Sequence, residues 1–456
     1  MLLQPSDIAI AADGSIYVLR RRIVDCFRIC EANQSVSRLQ SNGALDASFG
    51  AGGKSNVFEF AGSIPTVDAS SLALTADGGV VVASVDNGRL VLARLKSDGS
   101  LDGGFGVGGY VEDDLGAPVG RVRVAVASDG RIVVGAGPGD GYGGETAIVT
   151  RYTAQGLPDP EFNGGIPVIT NLGSGLGGFG LAGDDGVVLA APRCCEAFGR
   201  AIHLNRFDAS GRLESEFGHG GERYVDDVAG GVGIGALVVR PNGSIYVFGS
   251  GRRDRKAFIL KLRPDGRLAS RFGHRGIAYV KRTRLEIVDA ALDRAGRILI
   301  VGNASGRPTV LRRLPDGRRD RTFAGGRLVQ RDFPHRPAEA VAAGLQFGRQ
   351  LIVLMAEGGE CIRGCSSPRA FLVRYYGGTS GVRCQGRRAT IVGTRHGEKL
   401  MGTRRRDVIA ALGGNDLVRG GGGDDLICGG SGDDRLIGGG GRDRISGGPG
   451  HNRVQS

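Results

Sequence analysis

The sequence lacks the long apolar segments that would anchor it in a membrane. No run among its 456 residues approaches the roughly 18 apolar residues that a membrane-spanning helix needs. The opening residues, Met1 to Pro5, carry neither the basic region nor the apolar core of a signal peptide. We therefore expect no transmembrane segment, and an N-terminus that continues upstream would account for the missing export signal.

Tryptophan is absent and lysine is scarce, at six residues, so the net charge of +12 comes almost entirely from arginine. The arginines are spread over the whole chain, and no cluster of aromatic residues accompanies them. A nucleic-acid-binding protein would concentrate its basic residues on one surface. We therefore expect no nucleic-acid partner, whereas an anionic cell-surface polymer or another protein remains a candidate partner.

The sequence also lacks the short motifs of common catalytic sites. Its six histidines show no HExxH or other paired spacing, and no GxSxG or phosphate-binding loop occurs. We therefore expect that this protein is not an enzyme. The alternative is an extracellular hydrolase or lyase whose site is assembled from residues far apart in the sequence.

Glycine, in contrast, is abundant: 83 glycines accompany an apolar content of 41%, which is typical of an all-β protein with many tight turns. One repeat organises residues 1–377. A strand with arginine or lysine, a polar turn and a Phe-Gly pair or close variant occur together six times, with phenylalanines 56, 57, 55, 55 and 51 residues apart. Seven predicted hairpins, usually with Asp-Gly or Asn-Gly turns, alternate with this motif. The phenylalanines are Phe49, Phe105, Phe162, Phe217, Phe272 and Phe323.

Four short strands fit in each period, as in one blade of a β-propeller. For the third period we predict them at GYVEDDL, VRVAVAS, RIVVGAG and AIVTRY, so that the strand after a Phe-Gly pair opens the next blade. Seven hairpins then give a seven-bladed propeller of four-stranded blades. A solenoid of stacked sheets is the alternative, but ring closure hides the sheet edges better. The first blade would lack its opening strand, which either the last blade or an upstream segment would supply.

The Phe-Gly motif resembles the delta-60 repeat of large bacterial surface and secreted proteins. The resemblance is to a pattern close to RL-x-x-DG-x-LD-x-x-FG-x-GG, covers all six copies and is most faithful at residues 94–109. It implies a propeller scaffold without a defined activity. We interpret the phenylalanine as an anchor that packs between neighbouring blades.

After a linker at residues 378–388, residues 389–456 contain seven nonapeptides with the pattern Gly-Gly-x-Gly-x-Asp. The eighth position is aliphatic in every copy, and the sixth position is acidic in all copies except the last. This segment resembles the haemolysin-type (repeats-in-toxin, RTX) calcium-binding repeats, which implies a parallel β-roll. The sixth residues are Glu398, Asp407, Asp416, Asp425, Asp434, Asp443 and Asn452.

Calcium prefers six to eight oxygen ligands, and glycines with positive φ can direct several carbonyl oxygens to one point. Two nonapeptides make one coil, so sixth residues 18 positions apart should stack and share an ion. We expect two to three calcium ions, because Arg404 to Arg406 should weaken the first pair and Glu398 and Asn452 make poor outer turns. Without calcium the segment should be largely unfolded. The predicted metal-binding residues are Asp407, Asp416, Asp425, Asp434 and Asp443, with Gly414, Gly421, Gly423, Gly430, Gly432, Gly439 and Gly441.

The eight cysteines form an even set, and disulfides are their expected state outside the cell. The two Cys-x3-Cys pairs lie in equivalent loops and can pair within each loop or between the loops, and the adjacent pair can form a vicinal disulfide. Cys384 should pair with Cys428. Zinc is the alternative, but no histidine lies near the Cys-x3-Cys pairs. The cysteines are Cys26, Cys30, Cys194, Cys195, Cys361, Cys365, Cys384 and Cys428.

Together these features predict an extracellular or surface-exposed calcium-binding protein that acts as a non-catalytic binding or adhesion scaffold. We expect its roll to fold after export, where calcium is abundant. The alternative is an extracellular propeller enzyme that acts on a polymer, with the roll as a stability or secretion module. A polar cluster at the ring centre would favour the enzyme, and a plain, apolar or arginine-lined channel would favour the scaffold.

Overall fold

A computed structural model gives the fold of this chain. Its regular structure is β-strand apart from one 3-10 turn at Asn163–Gly165, and none of its helical structure is long and apolar enough to cross a membrane, within the residues that the structure describes. Glu398 and all cysteines except Cys384 and Cys428 lie outside those residues, and so do the disulfides predicted for them. The described residues are 2–25, 31–61, 70–138, 144–173, 175–192, 201–226, 228, 232–251, 256–280, 284–323, 329–330, 338–346, 350–357, 370–376, 382–393, 397 and 399–456.

Seven antiparallel sheets follow one another along the chain, and each is one blade of the propeller. The first four blades contain β1 (Leu2–Ile10), β2 (Ile16–Asp25), β3 (Glu31–Leu39), β4 (Lys54–Ala61), β5 (Ser71–Leu74), β6 (Val80–Asp86), β7 (Arg89–Leu95), β8 (Tyr110–Asp113), β9 (Arg121–Val126), β10 (Ile132–Gly137), β11 (Thr146–Tyr152), β12 (Val168–Asn171), β13 (Gly178–Leu181), β14 (Val187–Pro192), β15 (Ile202–Phe207) and β16 (Glu222–Val225). The last three contain β17 (Val232–Val239), β18 (Ile245–Gly251), β19 (Ala257–Leu262), β20 (Ile277–Val280), β21 (Leu285–Leu292), β22 (Ile298–Ala304), β23 (Pro308–Arg313), β24 (Val329–Gln330), β25 (Ala338–Gln346), β26 (Gln350–Glu357) and β27 (Ala370–Tyr376). These assignments confirm the prediction of an all-β, seven-bladed propeller.

The predicted grouping of strands into blades was wrong by one strand. The strand after each Phe-Gly pair does not open the next blade; it pairs with the arginine strand before it, as β8 pairs with β7. The reason is that the tail is itself a reversing turn: the N–H of Arg94 donates to the carbonyl of Gly109, so the chain returns along its own strand. The first blade therefore contains four strands, β1 to β4, and the described part of the seventh blade contains three.

The ring closes between the seventh blade and the first. Gln346 in the seventh blade donates through Nε2 to the carbonyl oxygens of Gly14, at 2.6 Å, and of Ser41, at 2.9 Å. Apolar side chains from the two blades also form one shared core. This contact excludes the solenoid alternative. The shared core consists of Ile8, Ile16, Val18, Ala342, Ile352 and Leu354.

The six motif phenylalanines are buried between blades, as predicted. Phe49 is fully buried in a core that combines Val36 of the first blade with Val80 of the second. Its ring lies against Gly99, in the turn of the next blade, where an added Cβ would stand 3.0 Å from the ring. Each phenylalanine of the motif from Phe49 to Phe272 meets the turn glycine of the following blade in the same way.

The C-terminal segment forms a roll of two parallel sheets, which confirms the predicted fold. Aligned partners are 18 residues apart, as in Ile409 beside Ile427. A disulfide between Cys384 and Cys428 joins the start of the roll to its fourth repeat, as predicted. A separate antiparallel pair, β28 (Arg383–Cys384) and β29 (Arg387–Arg388), precedes the two parallel sheets. The strands of the parallel sheets are β30 (Ile391–Val392), β31 (Lys399–Met401), β32 (Val408–Ala410), β33 (Leu417–Gly422), β34 (Leu426–Cys428), β35 (Arg435–Gly440), β36 (Arg444–Ser446) and β37 (Arg453–Gln455).

Candidate calcium site

The turns of the roll have the backbone conformation that the nonapeptide pattern predicts. All seven glycines expected at the metal have positive φ: Gly414 (91°), Gly421 (104°), Gly423 (93°), Gly430 (105°), Gly432 (122°), Gly439 (108°) and Gly441 (119°). Close stacking of the coils is a second reason for glycine. An added Cβ at Gly439 would lie 2.1 Å from the carbonyl oxygen of Gly421, one coil earlier. These positions therefore need glycine both for conformation and for space.

The aspartates at the sixth position stack in the predicted pairs. The backbone N–H of Asp407 donates to Oδ1 of Asp425 at 2.7 Å, and the N–H of Asp425 donates to Oδ1 of Asp443 at 2.9 Å. On the other side of the roll, the N–H of Asp416 donates to Oδ1 of Asp434 at 2.9 Å. One oxygen of each accepting carboxylate is therefore used to join successive coils.

The second oxygen of these carboxylates is buried without a hydrogen-bond partner. This holds for Oδ2 of Asp425, Asp434 and Asp443 within the described part of the chain. Each Oδ2 lies against the first glycine of its own turn: an added Cβ at Gly429 would stand 2.2 Å from Oδ2 of Asp434. A buried, ionised oxygen without a partner is unfavourable unless a cation is beside it.

The pKa values of the stacked aspartates reflect the same crowding. Burial raises the pKa of Asp425, the nearby charges of Asp407, Asp443 and Asp424 add to the shift and the hydrogen bond from Asp407 opposes it, with the pKa at about 7 as the net result. Burial also raises the pKa of Asp434. A carboxylate ladder of this kind is most stable when positive charge is present between the coils.

The residues present fit a calcium ion. Calcium is a hard cation that accepts carbonyl oxygens as readily as carboxylate oxygens. Within residues 399–456 and the rest of the described chain, no three acidic, histidine or cysteine side chains converge on one point. A calcium ion in this roll would therefore depend on backbone carbonyls of the glycine turns, together with the buried aspartate oxygens.

The second nonapeptide departs from this geometry. Oδ2 of Asp407 accepts the N–H of Thr403 at 2.7 Å and its hydroxyl at 2.9 Å, so the protein itself satisfies this oxygen. Thr403 and Arg405 occupy the second and fourth turn positions, and neither has positive φ. The weakening of the first pair by Arg404 to Arg406 stays a prediction.

Sequence reasoning missed a second row of hydrogen bonds between coils, in which side chains at the fifth position of the nonapeptides accept backbone N–H groups. The N–H of Asp433 donates to Oδ1 of Asn415 at 2.9 Å, and the N–H of His451 donates to Oδ1 of Asp433 at 2.8 Å. The signal was present as Asn415, Asp424 and Asp433 at the fifth position of consecutive repeats. These side chains join coils at the exposed surface and leave the sixth position to face the interior.

The ring centre contains charged residues on the innermost strands. Oδ2 of Asp7, on β1, accepts the N–H of Leu72 in the second blade at 3.0 Å. Oδ2 of Asp289, on β21, accepts the N–H of Ala343 in the seventh blade at 2.7 Å. Burial raises the pKa of both aspartates, to about 7 for Asp289, and the charge of Arg123 opposes the shift. Both carboxylates therefore link one inner strand to the inner strand of the next blade.

Two family models match the chain. The model described as RTX calcium-binding nonapeptide repeat (4 copies) matches residues 392–427, 401–436 and 429–454. The model described as domain of unknown function (DUF5122) beta-propeller matches residues 75–105, which overlap the stretch that most closely resembles the delta-60 repeat. No curated protein matches the chain significantly.

Solved structures that match the chain include three with low sequence identity. Sqt1 from Chaetomium thermophilum is 15% identical, with 83% of this chain and 84% of that chain covered and a TM-score of 0.45. The polysaccharide lyase Uly1 is 12% identical, with 81% and 89% covered and a TM-score of 0.47. A protein of unknown function from Dyadobacter fermentans is 12% identical, with 67% and 93% covered and a TM-score of 0.39. The chain therefore combines a seven-bladed β-propeller, in which residues 75–105 match the DUF5122 beta-propeller model, with a C-terminal roll whose residues 392–454 match the model of the RTX calcium-binding nonapeptide repeat.

Proposed function

We propose that this protein is a secreted or surface-exposed binding scaffold without catalytic activity, whose C-terminal roll folds when it binds calcium outside the cell. The observation that carries the proposal is the set of buried, partnerless Oδ2 atoms of Asp425, Asp434 and Asp443. Calcium would neutralise these carboxylates and connect successive turns. These atoms belong to the pairs Asp416–Asp434 and Asp425–Asp443, which supports one calcium ion at each pair. The pair Asp407–Asp425 would give a third, weaker calcium site.

The place of folding follows from the affinity that such sites need. Calcium modules outside the cell work with dissociation constants of about 10⁻⁴ to 10⁻³ M. If binding supplies the free energy of folding, the roll stays unfolded at low calcium and folds where calcium is abundant. This coupling suits a chain that must cross a membrane before it folds.

The propeller would act as the binding part of the scaffold. Its charged ring-centre residues, Asp7 and Asp289, accept backbone N–H groups from neighbouring blades, which favours a role in holding the ring over a role in catalysis. The net charge of +12 favours an anionic cell-surface polymer as the ligand. Binding of such a polymer should weaken as salt is added. When the protein is incubated with anionic polysaccharides, it should bind the polymer and leave its chain length unchanged. Shortened products would support the enzyme alternative.

The calcium proposal is tested on the full chain by limited proteolysis and circular dichroism, with chelator, millimolar calcium or millimolar magnesium. We expect cleavage within residues 389–456 in chelator or magnesium and protection in calcium. Asp434→Asn should lower the amount of calcium bound. Asp433→Asn is the matched control, because this neighbouring side chain is exposed and keeps its Oδ1 acceptor for His451. Equal protection in chelator and in calcium would refute the proposal.

A further inference from the structure

We propose that each of the two stacks of turns in the roll has a metal-free cap at one end. Asn452 caps the C-terminal end of the stack that contains Asp416 and Asp434, and Thr403 caps the N-terminal end of the stack that contains Asp425 and Asp443. Calcium is then confined to the other turns of each stack. The inference rests on the proposed calcium function, and it assigns a specific role to two residues that depart from the nonapeptide pattern.

Asn452 occupies the same position in its turn as the aspartates occupy in theirs. Its Oδ1 accepts the N–H of Asp434 at 2.9 Å, as Oδ1 of Asp443 accepts the N–H of Asp425 at 2.9 Å. An added Cβ at Gly447 would stand 2.6 Å from Nδ2 of Asn452, whereas one at Gly438 would stand 2.2 Å from Oδ2 of Asp443. The amide nitrogen of Asn452 therefore lies where the buried carboxylate oxygen lies in the other turns.

The amide nitrogen closes the last turn with hydrogen bonds. Nδ2 of Asn452 donates to the carbonyl oxygen of Gly448 at 2.9 Å and to that of Gly450 at 3.3 Å. Both glycines have positive φ, as do the equivalent glycines of the aspartate turns. In an aspartate turn, a carboxylate acceptor replaces this donor, and a cation would connect it to the carbonyl oxygens of the turn. In the last turn, the neutral amide therefore binds the carbonyl oxygens that calcium would bind in the aspartate turns.

Thr403 closes the N-terminal end of the other stack, and there the protein supplies donors to a carboxylate. There the sixth residue is still an aspartate, Asp407, and the protein supplies donors to its Oδ2: the N–H and the hydroxyl of Thr403. The hydroxyl oxygen of Thr403 also accepts the N–H of Arg405 at 3.1 Å. The second position of this turn is threonine, whereas the fourth and later nonapeptides have glycine there, so the carboxylate is satisfied without an ion.

The two caps solve a problem of any stack of calcium turns. An ion in this roll is shared between successive coils, so an aspartate turn at an open end would hold an incomplete site and a buried charge. Terminal repeats of stacked architectures are commonly atypical for this kind of reason. A cap that needs no metal lets one end of each stack form before calcium binds to the remaining turns.

The test exchanges the cap and an inner turn within the full chain. Asn452→Asp should lower the thermal midpoint of the roll in chelator, increase its rise on addition of calcium, and add about one bound ion per chain by native mass spectrometry. Asp443→Asn should do the reverse: it should raise the midpoint in chelator and remove about one ion. Asp433→Asn is the control for a change of charge in the roll outside the sixth position.

Thr403→Val tests the other cap. It removes the hydroxyl donor but keeps the backbone N–H and the side-chain shape. We expect a lower midpoint in both chelator and calcium, with the number of bound ions unchanged.

The results separate the cap from the proposed function. If the natural chain binds no calcium, the proposed function is wrong; a lower midpoint of Asn452→Asp in chelator would still support the cap. If the natural chain binds calcium but Asn452→Asp changes neither the midpoint in chelator nor the number of ions, the cap inference is wrong. The same holds if Asp443→Asn and Asp433→Asn behave alike.

Discussion

Arg151 and Asp159 form an ion pair inside the third blade, with Nε of the arginine 2.5 Å from Oδ2 of the aspartate. Both side chains are almost completely buried, at 3% and 2% exposure. The same guanidinium donates to the carbonyl of Ala209 in the next blade and lies 5.1 Å from the centre of the Phe162 ring. The arginine therefore joins its own strand, the Phe-Gly tail and the neighbouring blade, which explains why these residue types recur together.

The fifth blade is the exception that supports this explanation. The first blade repeats the ion pair with Arg38 and Asp46, at 2.8 Å. In the fifth blade Lys261 replaces the arginine, and Ala269 stands where the aspartate would be. The ammonium of Lys261 lies 5.8 Å from the centre of the Phe272 ring, so only the contact with the ring is kept. The buried guanidinium and its aspartate are lost together, and the positive charge that remains on Lys261 is only half-buried, as expected if a fully buried guanidinium needs an ionised partner.

We therefore expect Asp159→Ala to lower the free energy of unfolding by about 3 kcal/mol, because it leaves Arg151 buried without its partner. The double variant Arg151→Lys with Asp159→Ala imitates the fifth blade and should lose less than the single variant. Urea unfolding in calcium measures both. The losses of stability from Asp159→Ala alone and from Arg151→Lys alone are measured for comparison. A double variant whose loss of stability equals the sum of these two losses would contradict the role of the pair.

The turn glycines of the blades allow a matched test of the contact between blades. Gly156 has φ of 82°, and an added Cβ would lie 2.8 Å from the Phe105 ring of the preceding blade. Gly43 is the equivalent glycine of the first blade, with φ of 90° and nothing within 4 Å. Both changes to alanine strain the backbone, so the difference between them isolates the crowding. We expect Gly156→Ala to cost about 1–3 kcal/mol more than Gly43→Ala in urea unfolding, and equal costs would contradict the contact.

The sequence predicted the number of blades but not the pairing of every strand. Asp-Gly and Asn-Gly turns mark hairpins, because positive φ is encoded locally. The strand after a Phe-Gly pair is different: β8 lies between two blades along the chain, and it joins the earlier blade because the folded tail, closed by the hydrogen bond from Arg94 to Gly109, turns the chain back onto β7. That bond depends on the fold of the tail, which no single residue type specifies.

The parts of the candidate site that follow the nonapeptide repeat could be predicted from the sequence, and the parts that depart from the repeat could not. The 18-residue register alone predicts that Asp425 lies beside Asp443, because both sheets keep one spacing. In the sequence, Thr403 and Asn452 are only departures from the pattern, since their partners are carboxylate and carbonyl oxygens that stacking brings near them. Asp289 gave no signal, because it lies within an apolar strand.

Leu412 offers a test of backbone strain in the roll. It has φ of 80° and is 39% exposed, at the second position of a turn where later repeats carry glycine. We expect Leu412→Gly to raise the free energy of unfolding by about 1 kcal/mol, because a leucine in the left-handed region is strained. Met401→Gly is the control: Met401 is also exposed but lies in a strand with ordinary φ, so this change should destabilise. Thermal unfolding in saturating calcium compares the two, and a loss in both would contradict the strain.

The ring-centre aspartates should make the propeller less stable as the pH rises. Burial raises the pKa of Asp289 from 3.8 to about 7, with the charge of Asp7 adding to the shift and Arg123 opposing it. Between these two values the folded state holds the proton more tightly than the unfolded state does. The stability that Asp289 contributes is therefore fully present below about pH 4 and is lost as the pH rises to about 7.

The measurement is the thermal midpoint of the propeller between pH 4.5 and 8, for the natural chain and for Asp289→Asn. The asparagine cannot ionise, so the midpoint of the variant should fall less steeply over this range, and the two curves should become parallel above about pH 8. Ser71→Ala, which removes a hydrogen bond to the carboxylate of Asp7 instead, should leave the Asp289 part of the slope in place. Parallel curves for the natural chain and Asp289→Asn throughout the range would show that Asp289 stays ionised in the folded ring.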